Sequence, residues 1–168
     1  MTAFADSMDR DGNNVPLTGD YPFRTKRTIT FAGGTTNGWG DDGGTLDGGA
    51  IYTVTGAVQI KILGLCTTDL VGGATAEVGI TGQTAIFCAQ ITDTVLDATE
   101  YWLNDTTPAA FFIVGEEQAA LDNFPEYILN GQDIILTTTT TNTTSGVVDF
   151  YAFWKPISND GSVVATTD

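Results

Sequence analysis

The fold class follows from one short stretch in the first half of the chain, VQIKI at residues 58–62, where apolar and polar residues alternate. A period of two places Val58, Ile60 and Ile62 on one face of a strand and the polar side chains on the other. A strand of this kind belongs to an antiparallel sheet with one buried and one solvated face. The stretch therefore predicts a β-protein.

Further strand-like segments surround this stretch at short intervals, and glycine-containing turns separate them. The predicted strands are 28–31, 51–55, 58–66, 75–80, 84–92 and 111–114, followed by a hairpin over 132–156 that contains a threonine tract. β-Branched residues suit a pleated surface, and short strands at this spacing favour a sandwich or barrel. We predict an all-β, antiparallel jelly-roll-like β-sandwich, with an immunoglobulin-like sandwich as the alternative.

Two segments, 86–89 and 147–154, are apolar at nearly every position. This pattern predicts strands that are buried on both faces, and a second subunit is one candidate cover for the outer face. Residues 116–121 suggest a single helical turn, because the segment is short and ends before Pro125.

The chain divides into an arm and one domain. Residues 1–22 are polar and have no sustained period, which predicts an extended N-terminal arm that can wrap a neighbour. Residues 23–165 form the predicted β-sandwich domain, and a chain of 168 residues is long enough to bury an adequate core.

The charge balance limits the classes of partner. Six basic residues against 21 acidic ones give a net charge of -15, which repels phosphate backbones and anionic headgroups. We therefore expect neither nucleic acid nor a membrane as partner. The first 20 residues have no apolar segment behind a basic start, so we expect no secretory signal and synthesis in a reducing cytoplasm.

Catalytic chemistry has little support in the sequence. The chain contains no histidine, which removes the usual base of Ser-His-Asp and Cys-His mechanisms. A carboxylate pair could still cleave a glycoside, but no spacing marks two partners among Glu77, Glu100, Glu116, Glu117 and Glu126. We expect a protein that is not an enzyme, with no catalytic residue and no cofactor.

The two cysteines, Cys66 and Cys88, fall in predicted strands on either side of 75–80. In a meander their backbones would lie about 9 to 10 Å apart, two strand spacings, whereas a disulfide needs less than about 7 Å. We therefore expect two buried, inert thiols.

Three acidic loops, 9–13, 41–47 and 159–161, place carboxylates beside glycine, as calcium loops do. Asp-Gly and Asn-Gly are equally the ordinary residues of a tight turn, and none of the loops completes a 12-residue motif ending in Glu. We assign no metal site to them.

Candidate partner-binding residues lie near the arm and in a glycine-rich loop. Arg24, Lys26 and Arg27 hold half of the positive charge, and Arg24 and Lys26 have the spacing that presents two cations together. They suit an acidic protein surface or a sister subunit, or else protect a strand edge by charge. Trp39, in the loop 33–49, either contacts a sugar or a neighbour's pocket or folds back onto its own sheet.

The polar arm, the Gly- and Thr-rich strands and the ending DFYAFWKPISNDGSVVA at 149–165 resemble virion structural proteins of tailed bacteriophages, of the capsid decoration or head-fibre type. The resemblance implies a location in the virion and a small sandwich, often trimeric, on the outside of the capsid. Arm and loops would bind the major capsid protein and sister subunits, and repeated interfaces would cement the shell. The alternative is a carbohydrate-binding module in which Trp39 or Trp102 stacks on sugar rings.

Overall fold

The computed structural model describes residues 21–34, 38–106, 109–110 and 124–167, without the side chains of 109–110. Most of the predicted arm, the predicted strand 111–114 and the helical turn 116–121 therefore lie outside the described residues. In chain order the strands are β1 (Phe23–Phe31), β2 (Gly49–Thr55), β3 (Ala57–Val71), β4 (Thr75–Ile80), β5 (Gln83–Thr92), β6 (Glu100–Trp102), β7 (Ala109–Ala110), β8 (Tyr127–Asn130), β9 (Ile134–Thr139), β10 (Ser145–Pro156) and β11 (Ser162–Ala165).

The strands form two antiparallel sheets that pack as a sandwich, which confirms the predicted all-β, antiparallel β-sandwich. The first sheet has the order β1-β10-β3-β6-β7, with β8 also paired to β3, and the second has the order β11-β2-β9-β4-β5. Within the part of the chain that the structure describes, no helix is long and apolar enough to cross a membrane.

The core lies between the two sheets and is built from alternate residues of each strand. Val58, Ile60 and Ile62 of β3 are fully buried, as the alternation in VQIKI predicts. Full burial of an aliphatic side chain of this size contributes about 1.5 to 3 kcal/mol. The central strand β3 therefore anchors the first sheet to the core.

The predicted hairpin over 132–156 is wrong. β9 pairs with β2 and β4 in the second sheet, whereas β10 pairs with β1 and β3 in the first. The connection between them crosses from one sheet to the other, and the Thr143 N–H donates to the Gly40 carbonyl at 2.8 Å. Alternation in two successive strands specifies their inward faces but not their common sheet, which explains the error.

The sequence predicts burial on both faces for 86–89 and 147–154. The prediction holds in part for 86–89, and it fails for 147–154. In β10, Val148, Phe150 and Ala152 are buried, while Tyr151 and Phe153 on the outward face are only half-buried. The prediction for 147–154 is therefore wrong for the outward face.

In β5, at the edge of the second sheet, Phe87, Cys88 and Ala89 are buried. Residues 102–104 cover this edge, because the Ala89 N–H donates to the Leu103 carbonyl at 2.9 Å and the Asn104 amide donates to the Ile86 carbonyl at 2.5 Å. Covering an edge strand in this way satisfies backbone groups that would otherwise pair with another chain.

Candidate functional site

The outward face of the first sheet carries cations and aromatic rings on three adjacent strands. The register places Arg24 of β1 opposite Phe153 of β10, and Phe153 opposite Lys61 of β3. Because side chains alternate along a strand, the same face collects a set that we name the basic-aromatic face: Arg24, Lys26, Lys61, Tyr151, Phe153 and Lys155.

At one end of this face, two cations share one aromatic ring. The Arg24 guanidinium carbon and the Lys26 ammonium each lie 5.6 Å from the centroid of the Tyr151 ring. These distances fall within the range of cation-π contacts, about 6 Å. The structure thus brings Arg24 and Lys26 together as predicted. Since β1 is also the edge strand of its sheet, docking and edge protection both agree with this placement.

Arg27 does not join this pair. It lies opposite Phe150, whose side chain is fully buried, and alternation turns Arg27 toward the other side of the sheet from Arg24 and Lys26. Three cations that are close in sequence are therefore divided between two faces.

At the other end of the face, two lysines that the sequence analysis did not select gather around Tyr21. The ammonium groups of Lys61 and Lys155 lie 5.0 Å and 5.6 Å from the Tyr21 ring centroid. Lys61 also lies 5.6 Å from the Phe124 ring, which packs edge-on against Phe153 at 6.0 Å. The polar position of Lys61 in VQIKI signals an outward direction, but only strand pairing places it beside β10.

Two carboxylates hold lysines of this face in position. The Lys26 ammonium lies 2.7 Å from a carboxylate oxygen of Asp149, and this hydrogen bond raises the pKa of Lys26. Glu126 accepts a hydrogen bond from the Tyr21 hydroxyl and lies 3.6 Å from the Lys61 ammonium. The Tyr21 hydrogen bond, followed by the charge of Lys61, lowers the pKa of Glu126.

The charge of this face is opposite to that of the rest of the molecule. Four of the five lysines and arginines in the described ranges lie on it, with only two of the thirteen carboxylates, a net of +2. The other described residues carry one cation and eleven carboxylates, a net of -10. The positive charge is therefore concentrated on one sheet face.

Half-buried aromatic rings separate the two groups of cations, because Tyr151 and Phe153 of β10 lie between the β1 cations and Lys61 of β3. Two half-buried leucines extend this apolar surface along β3. Leu63 lies opposite Tyr151, and Leu65 lies between Asp149 and Tyr101 in the register. An apolar centre with a charged rim is the usual arrangement of a protein interface. The face can therefore bury apolar area while its rim pairs with acidic groups.

Trp39 is not on this face. It is 6% exposed, lies in the core, and joins Phe31 through a β-bridge. Its ring lies 3.1 Å from the point that a Cβ on Gly49 would occupy, so the residue packs directly against β2. This placement matches the alternative in which the indole folds back onto its own sheet.

The other two tryptophans are also engaged within the sandwich. Trp102 is fully buried, and its indole N–H donates to the Ala89 carbonyl at 2.8 Å. Trp154 is half-buried, stacks on Phe23 at 4.6 Å, and donates to the Thr25 hydroxyl at 3.0 Å. The chain's three tryptophans thus form no exposed platform.

The acidic loops use their carboxylates as backbone acceptors. Asp41 accepts from the Gly34 N–H at 3.1 Å, and Asp47 accepts from the N–H groups of Gly43 at 3.1 Å and Thr138 at 2.9 Å. Asp160 accepts from the Ser158 hydroxyl at 2.6 Å. These contacts are turn chemistry, while the loop 9–13 lies outside the described residues. In the described ranges, no three His, Cys, Asp or Glu residues group closely enough to hold a metal.

The cysteines lie in different sheets, Cys66 in β3 and Cys88 in β5, so their predicted placement as neighbours of β4 in one sheet is wrong. Both thiols are free and buried, as expected. Burial raises the pKa of Cys66 to about 11 and also raises the pKa of Cys88. A thiol that stays protonated is a poor nucleophile, which agrees with two inert side chains.

Comparison with known proteins adds no relative, because no family model, no curated protein and no solved structure matches this chain. The functional argument therefore rests on the geometry of the basic-aromatic face.

Proposed function

We propose that this chain is a virion structural protein of the capsid decoration or cement type, which binds the outer capsid surface and stabilises the shell. The observation that carries the proposal is the basic-aromatic face, a concentration of cations and aromatic rings on a molecule of net charge -15. A face of this composition suits a large protein partner better than a small ligand, because its cations and rings are spread over three adjacent strands of a sheet.

The chemistry of the face selects an acidic protein surface as its partner. Apolar side chains in its centre can be desolvated on binding, and Arg24 and Lys26 at one end match carboxylates on the partner. The negative charge over the rest of the described residues would repel nucleic acid and orient the protein toward its partner face-first. The major capsid protein and sister subunits of a homotrimer are the proposed partners.

The arm supports the same assignment. Tyr21, near the end of the predicted arm 1–22, contacts Lys61 and Lys155, so the described end of the arm lies on the basic-aromatic face. The arm and the face can therefore engage one partner together. Two linked contacts on a repeating shell increase the apparent affinity through effective concentration.

The test is co-sedimentation of the purified protein with shells assembled from the coat protein of the same genome. Replacing Lys61 and Lys155 by Gln removes two charges from the face and should weaken binding by about twofold to thirtyfold, since each rim charge contributes up to about 1 kcal/mol and guides association and register. The matched control is T53E/T55E, which makes the same change in net charge at two exposed positions of β2 in the second sheet.

The control variant should bind shells as the wild type does. Equal binding by both variants would remove the face from the proposal, and absence of wild-type binding would remove the decoration function itself.

The carbohydrate-binding alternative requires Trp39 or Trp102 to be exposed for stacking on sugar rings, and both residues are buried. We do not put it forward as a second function. A monomeric protein that binds glycans on an array would nevertheless overturn the cementing proposal, because a glycan module needs neither a shell nor sister subunits.

A further inference from the structure

A buried carboxylate lies at one end of the sandwich, in a stretch of sequence that contains no lysine or arginine. Asp93 is fully buried at the start of a short 3-10 helix, Asp93–Val95, that follows β5. Its Oδ1 accepts a hydrogen bond from the Gly73 N–H at 2.7 Å, whereas its Oδ2 has no hydrogen-bond partner among the described residues. One carboxylate oxygen is therefore left unsatisfied inside the protein.

A second unsatisfied oxygen lies nearby. Thr143 is also fully buried, and its hydroxyl oxygen has no hydrogen-bond partner. Gly72 connects the two residues, because the position of a Cβ on Gly72 lies 2.9 Å from Asp93 Oδ2, 2.8 Å from the Thr143 Cα and 2.0 Å from the Asn142 carbonyl oxygen. Only glycine fits at this position, because any side chain would overlap these atoms, and the absence of a Cβ lets the Asn142 carbonyl oxygen and Asp93 Oδ2 approach the same point.

An unpaired buried charge is unfavourable by several kcal/mol unless a counter-charge or full hydrogen bonding neutralises it. The segments that meet here, 71–74, 93–99 and 140–144, contain no lysine or arginine. The local chemistry thus favours a small cation.

We propose that Asp93 Oδ2, the Thr143 hydroxyl and the Asn142 carbonyl oxygen bind a Ca²⁺ ion. All three are hard oxygen ligands, which suit calcium and exclude metals that require nitrogen or sulfur. The irregular loop geometry favours Ca²⁺ over Mg²⁺, because Mg²⁺ demands near-ideal octahedral coordination. This site is separate from the acidic Asp-Gly loops, whose carboxylates already accept backbone N–H groups.

The ion would join the two sheets. Asp93 follows β5 of the second sheet, Gly72 follows β3 of the first, and Thr143 lies in the connection from β9 to β10. A ligand that binds only the folded state raises its stability by mass action. Calcium would therefore act as a structural clamp at this end of the sandwich, independently of the partner that the basic-aromatic face binds.

The experiment is thermal unfolding of the full chain, first treated with a chelator and then titrated with CaCl₂. With a dissociation constant of about 10⁻⁴ to 10⁻³ M, a tenfold excess of Ca²⁺ should raise the melting temperature by about 3 to 6 °C. MgCl₂ at the same concentration should produce a smaller rise. A wild-type melting temperature that does not respond to CaCl₂, or responds equally to MgCl₂, would overturn the proposal.

Two variants locate the response. D93N keeps an acceptor for the Gly73 N–H but removes the charge, and T143V removes only the hydroxyl; both should lose most of the calcium shift. The matched control is D47N, which alters a carboxylate that serves the backbone of another loop and should keep the full shift. If D93N is poorly folded, T143V decides alone, and a full calcium shift in T143V would contradict the assignment.

Discussion

At the residue scale, β10 contributes one face to the core and the other to the proposed binding surface. Phe150 is fully buried, lies 5.9 Å from the Trp102 ring, and its carbonyl accepts a hydrogen bond from the Tyr52 hydroxyl at 2.7 Å. Phe153 lies on the opposite face of the same strand, half-buried against Phe124. Two phenylalanines three positions apart therefore have different roles.

We predict that Phe150→Ala destabilises the fold by about 3 to 5 kcal/mol, because it leaves a cavity in the core. Phe153→Ala should lower the free energy of unfolding by only about 1 kcal/mol, through loss of an aromatic pair on the surface. Chemical denaturation measures both values, and shell co-sedimentation should be weakened by Phe153→Ala. Similar losses of stability in the two variants would contradict the assignment of the two faces.

At the element scale, the arm and the first sheet meet at Tyr21, which binds Glu126 and lies over Lys61. The strand β3 contributes to this contact through its outward positions and to the core through its inward ones. An arm attached in this way can be removed without disturbing the inward face of β3.

Deleting residues 1–20, which keeps Tyr21 in place, should change the free energy of unfolding by less than about 0.5 kcal/mol. The same deletion should greatly reduce co-sedimentation with shells, because the second of the two linked contacts is lost. Denaturation and co-sedimentation on one preparation separate the two effects. Undiminished attachment after the deletion would show that the arm does not contact the shell.

At the scale of the whole molecule, the separation of charge favours one orientation of the protein toward an acidic surface. The basic-aromatic face has a net charge of +2 and the remaining described residues a net of -10, so an approaching acidic surface is attracted to one side only. Attraction between solvent-exposed charges is screened by salt, whereas burial of the apolar centre is not.

Raising the salt concentration from about 0.01 M to about 1 M shortens the Debye length from about 30 Å to about 3 Å. We expect the rate of shell binding to fall over this range, while light scattering after size exclusion still shows a trimer held by apolar contacts. A rate that is independent of salt would contradict steering by the face. A monomer at all salt concentrations would contradict assembly into trimers.

The alternation of apolar and polar residues by itself determines the fold class and the inward and outward positions of the long strands. It identified the β-class, most of the long strands and the inward positions of β3, because a period of two is a local property of the extended backbone. It also placed Arg24 and Lys26 on one side of β1, for the same reason. The short strands β6, β8 and β11 have too few residues to show a period.

Only the tertiary structure decided which strands share a sheet, because pairing depends on contacts between residues far apart in the chain. It separated β9 from β10, moved Trp39 into the core, and divided Cys66 and Cys88 between two sheets. It also brought Lys61 and Lys155 to the sheet face that carries Arg24 and Lys26, and so completed the basic-aromatic face. Local patterning sets the direction of each side chain, and long-range packing chooses its neighbours.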